Sequence, residues 1–286
     1  MVNLKYHIVS LVAVFCAMAI GIFVGSNLVG DRFFADQQKQ LVTRLEQEFN
    51  LLREQNRETE NELAVFKDTT DNYRMFCEQI SPLIISNKLA QQSFAVIQMN
   101  PSVPREKVIK TLEDAGANVL YSASFDWKIK PDWNLFKLPE DQEPVSREEN
   151  YRRLSDQVIT YLRYGKDTPE LEALRESGFL SVDGTPGRAV HGVVVLEGSE
   201  EDNTEVLNSF NTLVVDSYVR DGVKVVVAES EGVLFSTLEV YKLRPLTTID
   251  NIDSMIGQTS MVFALRGKEG HYGTGHTADR LIPEIN

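Results

Sequence analysis

Gly192-Val193-Val194-Val195-Leu196, then Glu197-Gly198-Ser199-Glu200-Glu201-Asp202, then Thr204–Val219 reads as a strand, an acidic loop and a helix. Val223-Lys224-Val225-Val226-Val227-Ala228 starts the pattern again. A strand that is apolar at nearly every position is covered on both faces, which is how strands of a parallel sheet read. Upstream, Phe94-Ala95-Val96-Ile97-Gln98-Met99 has the same texture. A helix follows from about Pro104, a residue suited to a first turn, to Ala115, where Gly116 stops it. Asn118–Tyr121 is a second strand, and residues 131–146, with Pro131, Pro139 and Pro144, form a long connection. Helices near 147–164 and 168–177 are separated by Gly165 and Pro169, and Leu246–Ile249 is a last strand. Strands alternating with helices and right-handed connections predict a Rossmann- or flavodoxin-like, mostly parallel α/β domain over residues 81–286.

The chain before this domain is built differently. Residues 31–80 contain neither Pro nor Gly and are rich in Gln, Glu, Arg, Lys and Leu, all good helix formers. A heptad frame places Ala35, Gln38, Val42, Leu45, Phe49, Leu52, Asn56, Thr59, Leu63, Phe66, Thr70, Tyr73, Cys77 and Ile80 on one seam. Ten of those fourteen are apolar or aromatic, so the spacing predicts a coiled coil, on the order of 70 Å long, that pairs as a parallel homodimer. Asn56 falls at an a position, where a buried amide fixes register and oligomer state. Ser81-Pro82 is expected to end the stalk.

Earlier still, the 23 residues Ile8–Gly30 carry no formal charge. About 20 apolar residues span a bilayer as a helix, and this run exceeds the 7–15 residues usual for a cleaved leader. Residues 1–30 are therefore expected to be an uncleaved, single-pass signal anchor with the N-terminus inside and the large domain extracytoplasmic. Ala13, Ala17, Gly21 and Gly25 recur every fourth residue, a smooth face on which two membrane helices can pack closely.

Composition narrows the chemistry. The 286 residues hold 29 Lys+Arg against 42 Asp+Glu, a net charge of −13, which leaves no basic surplus for nucleic acid. The apolar run carries none of this charge, so the acidic excess belongs to the stalk and the α/β domain. The first strand runs into Met99-Asn100-Pro101-Ser102-Val103-Pro104, without the glycines that a dinucleotide site requires. No Walker motif and no G-x-S-x-G occurs, so no enzymatic activity is expected. Glu197–Glu200 and Glu229-Ser230-Glu231-Gly232 put carboxylates where a phosphate site needs amides, and are read as solvated loop acids. The histidines are His7, His191, His271 and His276, and none has a recognised ligand spacing. Cys16 and Cys77 cannot build a disulfide framework, but the thioether of Met75 and the thiol of Cys77 are soft donors suited to Cu(I).

The opening Tyr6–Phe15 and Ala19–Ser26, the tail motif Asp250-Asn251-Ile252-Asp253, then Ala264-Leu265 and Gly270-His271-Tyr272-Gly273, resemble the mycobacterial copper transport protein B family. The order of anchor, coiled coil and α/β domain matches as well. The resemblance implies a role in copper efflux or homeostasis at a bacterial envelope, with copper as the ion handled, in a family described as pore-forming in an outer membrane. A membrane barrel needs many segments of about ten alternating residues, whereas these strands are short and apolar throughout. A single membrane helix without intramembrane charge also offers a monomer no ion path. A different class of protein fits the same layout: a non-enzymatic scaffold whose stalk and head recruit an envelope or cell-separation partner.

Overall fold

The computed structural model describes residues 4–138, 145–199 and 206–284. Its contacts divide the chain into two compact units, one ending at Tyr73 and one beginning at Arg74. The first unit belongs to a single long helix, α1 (Leu4–Ile85). Within it Leu4–Gly25 is long and apolar enough to cross a membrane, and its side chains are exposed. Beyond it, the side chains from Ala35 to Thr70 are all exposed as well.

The helix does not stop at Ser81-Pro82 as expected; it runs through Pro82 to Ile85. Proline removes one N–H from the ladder, but tertiary contacts hold the last turn. The Pro82 carbonyl still accepts from the Ser86 amide at 3.0 Å. The buried Ser81 hydroxyl meets Thr259 Oγ1 at 2.9 Å, and Ile85 is in the core. Leu89 follows, with its amide on the Ala115 carbonyl at 2.9 Å.

The second unit is built on a seven-stranded sheet with order β3-β2-β1-β4-β5-β6-β7. The strands are β1 (Ser93–Gln98), β2 (Asn118–Phe125), β3 (Leu180–Gly184), β4 (Gly192–Leu196), β5 (Lys224–Ala228), β6 (Thr247–Ile249) and β7 (His271–Tyr272). All neighbours run parallel except β2 and β3. Successive residues of β1 face opposite sides, so Ala95 and Ile97 enter one core while Phe94 and Val96 enter the other. The first core is closed by α3 (Arg147–Tyr164), α4 (Pro169–Glu176) and α5 (Thr212–Arg220). The second is closed by α2 (Arg105–Asp114), the end of α1 and a helix that includes Met261–Leu265. A short helix, α6 (Leu238–Tyr241), precedes β6, and that last helix is α7 (Met255–Leu265).

Local sequence explains the boundaries. Ser146 and Thr168 accept amides of the first turns of α3 and α4, and Gly165 caps α3 in the left-handed region. The connection around residue 131 contains a 3₁₀ turn, Trp133–Phe136, while Pro139 and Pro144 lie outside the described residues. The helix expected over Thr204–Val219 is a π-helical turn, Leu207–Asn211, leading into α5; Thr204 lies outside the described residues.

Trp127 packs edge-on against Phe179 and Phe210, with ring centroids 5.0 and 5.1 Å apart, and Trp133 meets Tyr151 at 5.1 Å. Beside this cluster the buried hydroxyls of Tyr121 and Tyr218 meet at 2.7 Å. Burial pushes the Tyr121 phenol up to about 12. Tyr121→Phe strands the Tyr218 hydroxyl, and is expected to cost about 1–2 kcal/mol in urea unfolding followed by tryptophan fluorescence.

Candidate functional site

Three neighbouring parallel strands end in the same way. Leu196, Ala228 and Ile249 are register partners across β4, β5 and β6, and each is followed by an acid: Glu197, Glu229 and Asp250. The register sets these carboxylates in a row along the carboxyl end of the sheet, where open α/β sheets hold their functional groups. They are 1%, 3% and 7% exposed. Glu197 and Glu229 are thus buried and not solvated loop acids; Glu200–Asp202 lie outside the described residues.

Each acid has its own set of donors. Glu197 accepts from Asn211 Nδ2 at 2.9 Å and from the Tyr241 hydroxyl at 2.8 Å, so one carboxyl ties β4 to the start of α5 and the end of α6. Glu229 accepts the Thr237 amide at 3.2 Å. Asp250 accepts the amides of Thr274 and Gly275 at 2.8 and 2.9 Å and the Thr277 hydroxyl at 3.1 Å. Two glycines permit this closeness. A Cβ on Gly198 would lie 2.9 Å from Val233 and 3.3 Å from Glu229. Gly273 has φ +143° and faces the Asp250 carboxylate where any side chain would collide.

The electrostatics follow from burial and sequence along the row. Burial pushes the Glu197 carboxyl up to about 7, the donors Tyr241 and Asn211 pull it down, and the charge of Glu229 pushes it further up. Burial likewise raises Glu229; Ser236 and the Thr237 amide oppose this, and Asp250 adds to it. The row can therefore take up a proton near neutrality. Around it the buried atoms Asn211 Oδ1, Thr237 Oγ1 and both side-chain atoms of Asn251 have no protein partner.

The sites read from sequence fall elsewhere. Met75 and Cys77 both lie on α1, Met75 half exposed and Cys77 partly buried. Two residues apart on a helix point about 200° apart, so one chain does not bring both sulfurs to one ion. Among the described residues no group of three or more His, Cys, Asp or Glu could hold a metal ion. Ala13, Ala17, Gly21 and Gly25 form an exposed stripe, and a Cβ on Gly21 or Gly25 would meet nothing within 4 Å. Asn56 is exposed on α1. His191 has a structural place: its ring Nδ1 accepts the Ser93 amide at 3.0 Å while its own amide donates to the Ser93 carbonyl at 2.7 Å. His271 Nδ1 bonds Thr248 Oγ1 at 2.9 Å, and His276 is exposed. The two tail motifs, Asp250–Asp253 and Gly270–Gly273, converge: β6 pairs with β7 and Asp250 seats the loop that follows. The signal for the row was present in sequence, as three strands, two of them apolar runs and the third Thr247-Thr248-Ile249, each followed directly by an acid.

A long helix whose first 22 residues are long and apolar enough to cross a membrane, followed by a mostly parallel α/β unit, defines the class of protein. The copper transport outer membrane protein MctB family matches residues 1–129 and 148–283. The chain belongs to that family. Comparison with curated proteins returns no match.

Proposed function

We propose that this chain is a single-pass envelope protein that acts in copper efflux or homeostasis, without enzymatic activity and without a nucleic-acid partner. The observation that carries the reading is the extent of the family match, which takes in the apolar segment, the stalk and nearly all of the α/β unit. In this reading residues 1–30 anchor the chain, residues 31–80 form a coiled-coil stalk that pairs two copies, and residues 81–286 form an extracytoplasmic head. The strand order 3-2-1-4-5-6 supports a Rossmann-like head, with an antiparallel β3 as its departure. Neighbouring membrane helices would pack on Ala13, Ala17, Gly21 and Gly25. Copper is cargo here: the separation of Met75 and Cys77 around the helix leaves their sulfurs to bind Cu(I) between chains or with an envelope partner.

The test is copper content. Deleting the gene in its bacterial host is expected to raise cell-associated copper severalfold and to lower the tolerated copper concentration. The full chain should restore both, and a chain lacking residues 1–30 should not. Unchanged copper content and tolerance in the deletion strain would remove copper handling from the reading.

A further inference from the structure

From Val42 to Tyr73 the apolar seam side chains of the stalk are uncovered, whereas Cys77 and Ile80 are partly buried. Val42, Leu45, Phe49, Leu52, Leu63, Phe66 and Tyr73 are each more than half exposed on a helix that offers them nothing to pack against. One polar position of that seam, Thr59, is suited to burial. Thr59 donates its hydroxyl back to the Gln55 carbonyl at 2.8 Å, so covering it leaves no orphan donor. The Arg53 guanidinium already lies over the Phe49 ring, 4.4 Å from its centroid.

Charge, the place of Asn56 and the apolar spans together rank the arrangements that would cover the seam. With Asn56 at a, the flanking g positions include Leu41, Glu48, Gln55, Glu62 and Thr69, and the e positions include Glu46, Arg53, Glu60, Lys67 and Arg74. In a parallel pair with no stagger, each g residue faces the e residue five places further along the other chain. That sets Glu48 against Arg53 and Glu62 against Lys67, each twice by symmetry, and sets no like charges together. Asn56 meets Asn56, an amide pair that can satisfy itself. The antiparallel arrangement at full overlap also forms Glu46–Lys67 and Arg53–Glu60 contacts, but it sets Lys39 against Arg74 and Asn56 against Thr59. It also carries the two apolar spans to opposite ends of the rod, where they cannot share one bilayer.

We propose that the stalk pairs with a second copy of this chain, parallel and in register, and that the Glu48–Arg53 and Glu62–Lys67 contacts set the orientation. This rests on reading residues 31–80 as a coiled coil and is independent of copper. The native cysteines provide the readout, since Cys77 occupies an a position and faces its own copy in this arrangement alone.

The experiment uses the full chain in detergent, carrying Cys16→Ser. Sedimentation should give a dimer, and a short bismaleimide should join the two chains through Cys77. Glu48→Lys with Glu62→Lys turns four attractions into repulsions. It is expected to raise the dimer dissociation constant about a hundredfold at low salt, with helicity unchanged by circular dichroism. Mixing that variant with the Arg53→Glu, Lys67→Glu variant should restore both the dimer and the cross-link. A monomer under all conditions would overturn the proposal and the coiled-coil reading together. A dimer that does not cross-link at Cys77, or whose mixed variants do not recover, would overturn the orientation alone.

Discussion

Glu197→Gln is expected to remove most of the loss of head stability between pH 5 and pH 8. The carboxyl of Glu197 sits at about 7 in the folded chain, above its ordinary value of 4.5, because burial penalises its charge. Between those two values the folded state keeps a proton that the unfolded state has released, so stability falls as pH rises through that window. Below it the carboxyl contributes nothing; above it the full penalty of about 3 kcal/mol is present. Glutamine keeps the shape and carries no charge. Turning the Asn211 amide over would let its unpartnered Oδ1 accept from the new side-chain NH₂, while the Tyr241 hydroxyl still finds an acceptor. The variant should therefore match the native chain near pH 5 and exceed it by about 2–3 kcal/mol at pH 8.

Urea titrations at a series of pH values measure this directly. Both tryptophans, Trp127 and Trp133, lie in the α/β unit, so their fluorescence follows that unit within the full chain. The difference between native and variant isolates Glu197 from the other titrating groups, including Glu229, which shifts in the same sense. Parallel stability curves for the two chains would show that Glu197 is ionised throughout this range and stores no proton.

β4 and β5 were legible because Val193–Leu196 and Val225–Ala228 are unbroken apolar runs, as burial on both faces requires, while β6, Thr247-Thr248-Ile249, carries a weaker signal from its β-branched residues. β3 was not, since Leu180-Ser181-Val182-Asp183-Gly184 is a half-exposed edge strand with a weak local pattern. β7 was not either, because it has two residues and exists through its pairing with β6. Helix α7 is buried on nearly all sides and so lacks the polar face that marks an amphipathic helix. The acids show the same limit. Glu197 is buried by Asn211 and Tyr241, which lie 14 and 44 residues further along the chain. Nothing within the Glu197–Asp202 loop itself distinguishes it from a solvated one. Pro82 misled for a related reason, since a helix continues through proline when its last turn is held by packing from residues far away in sequence.

Asp250 offers the sharpest test that the row is structural at its β6 end. Asp250→Ala leaves the Thr274 and Gly275 amides and the Thr277 hydroxyl without their acceptor, two of them beside a glycine shaped to the carboxylate. Hydrogen bonds to a charged group are each worth about 1.5–3 kcal/mol, and neighbouring ones do not simply add. Part of the loss is returned, because removing the charge of Asp250 relieves its repulsion of Glu229. A net cost of about 3–4 kcal/mol is expected, read as a lower urea midpoint for tryptophan fluorescence at pH 7. Hydrogen exchange should separate this from a general loss of packing. Amides of Gly273–Ala278 should lose protection first, while those of β1 and β4, which are not neighbours of β7 in the sheet, should lose it only with global unfolding. Asp250→Asn keeps one acceptor oxygen and should fall between the two. A stability change below about 1 kcal/mol, or uniform loss of protection across the sheet, would mean that the tail is held by the β6–β7 pairing and not by Asp250.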